Sequence, residues 1–138
     1  MKDLGEAKVC LGLEISRDRE QKRLWLTHQS YVERIAHRFG MSNCKPVATP
    51  IEEPNKLDQR LEYISDSDEE VKNVPYREAI GSLMYLMIGS RPGIACAVGK
   101  LARFCENPKW KHWMAVKRVR RYVKGTSDIG LLLQRANR

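Results

Sequence analysis

The chain has 138 residues and carries 25 Lys and Arg against 17 Asp and Glu, a net charge of +8. That length suits one domain or two small lobes, and it allows a core without disulfide or metal staples. The four cysteines at 10, 44, 96 and 105 form no C-x-x-C pair and the three histidines fall at no zinc spacing. With no signal-peptide pattern and no bilayer-length apolar run, a soluble chain in a reduced intracellular compartment is expected.

The first element is "KVCLGLEISRDREQKRLWLT", residues 8–27. It alternates: Val9, Leu11, Leu13 and Ile15 share one face, and Cys10, Gly12 and Glu14 the other. Arg17–Lys22 reads as the turn, after which Leu24 and Leu26 resume the apolar face with Trp25 opposite. A hairpin with a longer loop is predicted. Gly12 falls in mid-strand and signals a bulge or a close backbone neighbour.

"THQSYVERIAHRFGM" then changes period. Tyr31, Ile35 and Phe39 recur at i, i+4 and i+8, beside Val32 and Ala36, which predicts a helix. Ser30 and Glu33 are placed for a capping box, and Gly40 for a stop.

Residues 43–75 hold Pro46, Pro50, Pro54 and Pro75 and eight of the seventeen acids, and they read as an extended, partly mobile acidic connector. Within it, Asp66, Asp68, Glu69 and Glu70 lack a glycine turn, so they read as a solvated charge run rather than a metal site.

A second helix is predicted from Tyr76 to about Ile88, burying Ala79, Ile80, Leu83, Leu86 and Met87. Arg77, Gly81 and Tyr85 line another of its faces at i, i+4 and i+8. Glycine in a helix costs about 1 kcal/mol relative to alanine, so Gly81 asks for a reason: close helix packing, or close approach to a ligand. A third helix starts at Pro92 and buries Ile94, Val98, Leu101 and Cys105. Asn107 is the expected cap of a fourth, "KWKHWMAVKRVRRYVKG", which buries Trp113, Val116, Val119 and Val123. That helix is expected to expose Lys109, Lys111, Lys117, Arg118, Arg120, Arg121 and Lys124, with no acid among them. "IGLLL" at 129–133 reads as a short strand. Residues 76–138 hold thirteen Lys and Arg against three acids. Such a basic body fits a polyanion partner or a solvated surface.

Four blocks in order, "MKDLGEAKVCLGLEISRD", "LWLTHQSYVERIAHRFGMSNCKPVATP", "YREAIGSLMYLMIGSRPGIACAVGKLARF" and "HWMAVKRVRRYVKGTSDIGLLL", resemble the reverse transcriptase of copia-type LTR retrotransposons over roughly residues 1–133. The resemblance implies the C-terminal part of the polymerase region. Residues 1–42 match the last palm hairpin and first helix, 43–75 the connector, 76–128 a basic thumb-like helical domain, and 129–138 the start of a strand or linker toward RNase H. In such polyproteins the Y-x-D-D aspartates lie upstream and the RNase H carboxylates downstream. Met1 matches an internal methionine of that longer pattern. Two-metal nucleotidyl transfer needs paired carboxylates, so no catalytic residue and no resident cofactor are expected here, with Mg²⁺ belonging to the parent polymerase.

By the same resemblance Leu11, Gly12, Leu13 and Glu14 match the primer grip. Arg77, Gly81 and Tyr85 match the helix that retroviral thumbs lay in the template–primer minor groove. The cations Lys117, Arg118, Arg121 and Lys124 are then expected on phosphates. Two departures stand out: Gly93 replaces the aspartate of "RPDIA", and Arg120 stands where an aliphatic residue is usual. The expected fold is α+β and mainly α, one N-terminal hairpin followed by about four helices. The implied partners are an RNA/DNA template–primer and the rest of the polyprotein, in a cytoplasmic particle or the nucleus, with no membrane. The rival expectation is a domesticated fragment serving as a protein–protein module or homodimer.

Overall fold

The computed structural model describes residues 1–52 and 73–136. Most of the expected acidic connector, with its Asp66–Glu70 run, lies outside the described residues. The described residues form an α+β fold in which helices dominate.

Three strands open the chain: β1 (Val9–Cys10), β2 (Leu13–Asp18) and β3 (Arg23–Thr27). Helix α1 (Gln29–Arg38) follows, then α2 (Tyr76–Gly89). A 3₁₀ turn (Pro92–Ile94) leads into α3 (Ala95–Ala102), and α4 (Trp110–Gly125) and β4 (Leu131–Gln134) complete the order. All neighbouring strand pairs in the sheet, ordered β1-β2-β3-β4, are antiparallel.

The apolar periodicity of the helices is realised as one helical core. Val32 and Ile35 of α1, Ala79, Ile80, Leu83 and Leu86 of α2, Val98 and Leu101 of α3, and Trp113, Val116, Val119 and Val123 of α4 are all buried. Tyr76 is buried with them and donates its hydroxyl to the Leu101 carbonyl at 2.7 Å. This bond satisfies a polar group that would otherwise be costly inside. Helix α1 ends as its glycine predicts: Gly40 has φ +66°, its N–H meets the His37 carbonyl, and the Met41 N–H meets that of Ala36. That pair of bonds is a Schellman cap. Arg91, buried at the break after α2, donates to the Thr126 carbonyl at 2.9 Å and to its hydroxyl at 2.6 Å, tying the break to the end of α4.

Several expectations are corrected. The alternation at 9–15 is not one strand. It breaks at Leu11-Gly12, where both residues have positive φ (+50° and +81°) and Cys10 pairs with Leu13. This is a two-residue hairpin turn of the primed kind. Leu11 therefore stands exposed at a tip instead of facing inward. None of the strand residues is fully buried, so the sheet lies beside the helical core rather than within it. The Ser30–Glu33 capping box does not form. Asn107 does not cap α4: the helix starts at Trp110, and the Lys109 backbone N–H donates to His112 Nδ1 at 2.9 Å. Arg120 is buried, not exposed. Its guanidinium lies 3.8 Å from the Phe39 ring centroid and donates to the Ile35 carbonyl, and burial pushes its pKa down to about 10. The cation is thus accommodated inside by close contact with an aromatic ring and by its bond to a backbone carbonyl. Finally, β4 pairs back on β3, with Leu24 opposite Leu133 and Leu26 opposite Leu131.

Candidate nucleic-acid interface

Two of the sequence-predicted groups meet. Tyr85 on α2 donates its hydroxyl to the Leu11 carbonyl at the β1–β2 turn. A Cβ on Gly12 would lie 2.8 Å from that same hydroxyl, closer than real side chains approach. Glycine at 12 is thus required twice, by its left-handed backbone and by Tyr85. The sequence signalled a bulge or a close backbone neighbour for Gly12; the structure shows instead a turn position beside a tyrosine side chain.

Tyr85 is itself fixed from the other side. Its ring lies 4.7 Å from that of Tyr31 and 4.9 Å from that of His28, both in edge or tilted geometry. Such aromatic pairs contribute about 0.5–1.5 kcal/mol each beyond area burial. His28, which sequence reading passed over, is the buried hub. Its Nδ1 is 2.6 Å from the Ser90 hydroxyl, its Nε2 has no hydrogen-bond partner among the described residues, and burial lowers its pKa. A histidine immediately before an amphipathic helix, with serine just past the end of another, was the only sequence signal.

Glu14, two residues beyond Gly12 on β2, faces the start of α1. Its carboxylate accepts from the Ser30 hydroxyl, from the Ser30 N–H at 3.4 Å and from the Thr27 hydroxyl at 3.2 Å. It is the anion at the α1 N-terminus, where the helix dipole favours one. The Ser30 hydroxyl is the main cause of its lowered pKa. Leu13 pairs with Cys10 across the hairpin.

Arg77, Gly81 and Tyr85 do share an exposed face of α2, spanning about 12 Å at 1.5 Å per residue. A Cβ on Gly81 would meet nothing within 4 Å among the described residues. Helix packing therefore does not explain this glycine there. Arg77, at the far end of the face, donates through Nε to the Cys105 carbonyl at 3.3 Å.

The α4 cations are arranged differently. Lys117 places Nζ 5.6 Å from the Trp113 ring centroid and 5.8 Å from that of Trp110. Arg118 donates to the Glu52 carboxylate and the Thr49 hydroxyl, both at 3.0 Å. Arg121 donates to the Lys45 carbonyl at 2.7 Å, and Lys124 to the Met41 carbonyl at 3.3 Å. All four are half-buried, and three of them hold residues 41–52.

Relatives give this arrangement its context. The chain is 46% identical over 128 residues, 92% of its length, to the retrovirus-related Pol polyprotein from transposon TNT 1-94 of Nicotiana tabacum. It is 34% identical over 137 residues to the corresponding polyprotein from transposon RE2 of Arabidopsis thaliana. Its homologues include retrovirus-related Pol polyproteins of plant transposons. The match covers 99% of this chain for RE2, yet the chain spans only 10% of the TNT 1-94 polyprotein and 9% of the RE2 one. An uncharacterized mitochondrial protein of Arabidopsis thaliana is 35% identical over 138 residues, 98% of this chain and 52% of that protein. No protein-family model matches the sequence, and no solved structure does. No helix among the described residues is long and apolar enough to cross a membrane.

Proposed function

We propose that this chain is the template–primer-gripping part of a copia-type reverse transcriptase. It corresponds to the last palm hairpin and the thumb, and it performs no chemistry by itself. The observation that carries the reading is the Tyr85–Leu11 bond. It joins two segments, 74 residues apart in sequence, that the resemblance names independently as primer grip and minor-groove helix.

In this reading the exposed α2 face enters the minor groove of an RNA–DNA hybrid. Gly81 lets the helix backbone approach the sugars, since no side chain stands between them. Tyr85 holds the β1–β2 turn at the end of that track, so the turn and the helix face move as one unit. Recognition is by hybrid shape and backbone, with affinity dominated by phosphates and falling with salt.

The test is anisotropy of a labelled RNA–DNA hybrid across a salt series. The wild-type chain binds, and Gly81→Leu weakens binding with an unchanged salt slope, because bulk is added and no charge removed. Equal hybrid affinity for Gly81→Leu would withdraw the minor-groove assignment. A second reading, a protein–protein module or homodimer, is favoured by the exposed apolar side chains Ile88, Leu132 and Leu133. Light scattering that gives a dimer mass with no hybrid binding would select it.

A further inference from the structure

Residues 41–52 run antiparallel to α4 along a single stripe of cations. Met41 sits at Lys124, Lys45 at Arg121, and Thr49 and Glu52 at Arg118. The cations recur every three residues, so they share one helix face. A second contact fixes the same segment without charge. A Cβ on Gly125 would lie 2.5 Å from Cβ of Pro46 and 3.5 Å from its Cα, so this segment can lie on α4 only because residue 125 has no side chain.

The acceptors are mismatched to the donors. Among the described residues, three cations face two carbonyls, one hydroxyl and a single carboxylate, and the side chain of that carboxylate is 55% exposed. The carbonyl and hydroxyl acceptors bring no charge of their own, whereas a phosphate adds Coulombic attraction to each bond and can take an arginine in two parallel bonds, so a row of phosphates is the better ligand for this stripe. The segment is also cheap to lift. Residues 44–52 have no helix or strand, and Pro46 and Pro50 have no N–H to commit to a backbone bond. Peeling it away costs side-chain contacts, those of half-buried Ile51 with the helical core among them, and at its Met41 end one bond of the α1 cap, but no strand or helix.

We propose that residues 41–52 are a displaceable cover over a phosphate-binding stripe formed by Arg118, Arg121 and Lys124. The segment occupies the stripe until a polyanion takes its place. Identifying that polyanion as nucleic acid rests on the function proposed above. The stripe's preference for a row of phosphates does not.

Hydrogen exchange of the 41–52 amides in the full chain, read with saturating inorganic polyphosphate and separately with an RNA–DNA hybrid, tests this. Polyphosphate is expected to bind and to speed exchange across 41–52 while α4 amides keep their protection. Failure of polyphosphate to bind, or binding that leaves 41–52 unchanged or slower, overturns the cover. If polyphosphate opens the segment and the hybrid fails to bind, the cover stands and the template–primer reading falls. If the hybrid binds and 41–52 stays protected in both arms, the cover falls and that reading stands.

Gly125→Ala supplies a charge-neutral perturbation, since its methyl group pushes Pro46 outward. It is expected to tighten polyphosphate binding several-fold, as the competent population rises. Thr49→Ala, which removes a neutral acceptor from Arg118, shifts affinity the same way by less. Faster 41–52 exchange in either variant with unchanged or weaker polyphosphate affinity would reduce the segment to a structural clasp.

Discussion

The outer face of α2 and the basic stripe of α4 look alike as sequence: each is a set of polar or small residues at helical spacing on an amphipathic helix. In the fold they are opposites. The α2 face lies open at Gly81, while Arg118, Arg121 and Lys124 are already bonded to residues 41–52. Charge at helical spacing says that a face is not core, yet it does not say what lies on it. A helical glycine with no packing neighbour is unexplained inside the described fold, and Gly81 shares that property with Gly99 of α3, so what sets Gly81 apart is its place on one face with Arg77 and Tyr85.

The largest effect that breaks this comparison comes from the residue that ties the open face to the hairpin. Tyr85→Ala removes a partly exposed ring, two aromatic contacts and the bond to the Leu11 carbonyl. It should destabilise the chain by about 2 kcal/mol, below the 3–5 typical of fully buried rings. Urea unfolding measures it. Tyr85→Phe keeps the ring and should lose only about 1 kcal/mol, the net value of a hydrogen bond. Equal losses for the two variants would mean that the ring contacts contribute nothing.

Next comes the closed face. Arg121→Ala should cost about 1 kcal/mol, from loss of the bond to the Lys45 carbonyl. Because that acceptor is uncharged, the loss should persist at about 1 M salt, where the screening length is near 3 Å. A loss that disappears with salt would assign the residue to surface electrostatics instead.

These two sites also show what sequence could reveal. Most buried apolar positions of the helices were legible because 3.6-residue periodicity is local, although Met87 and Cys105, expected inside, are only half-buried, and the buried His112 and Arg120 were not foreseen. The α1 stop was legible too, because a left-handed backbone selects Gly40. The Leu11-Gly12 turn was hidden, since two residues in a tight turn preserve the period of two and mimic one continuous strand. Long-range partners were hidden too. Glu14 replaces Glu33 at the α1 N-terminus, and Phe39 accepts Arg120 from a helix far along the chain. Of the candidate site, the residues of each face were readable; which face was covered depended on contacts such as Lys45 with Arg121, 76 positions apart.

Acid should separate the two regions further, because the perturbed acid–base groups Glu14 and His28 sit on the hairpin side. Burial depresses the His28 pKa, so below about 6.5 the unfolded chain takes up a proton that the folded chain refuses, and stability declines from there. The Glu14 pKa is also lowered, so its contribution is complete above about 4.3 and is lost as pH falls through its folded value. Melting temperatures across this range should show both declines, and Glu14→Gln should lack the second. NMR titration should place the His28 imidazole below 6.5. A His28 midpoint at or above that value would contradict its burial at the hub.

The smallest effect is the sharpest. Gly81→Ala adds one methyl group in open space at an exposed helix position. Alanine loses less backbone entropy than glycine on forming a helix, so the variant should be more stable by about 0.5 kcal/mol. If Gly81 were a helix–helix contact, the same change would destabilise, because the methyl group would force two packed backbones apart. The sign of the change in urea midpoint therefore decides between the two. A gain in stability accompanied by weaker hybrid binding would mean that the folded chain carries a helix-weakening residue for the sake of what approaches it. A gain in stability with hybrid binding unchanged would leave the open face without a ligand that needs the glycine.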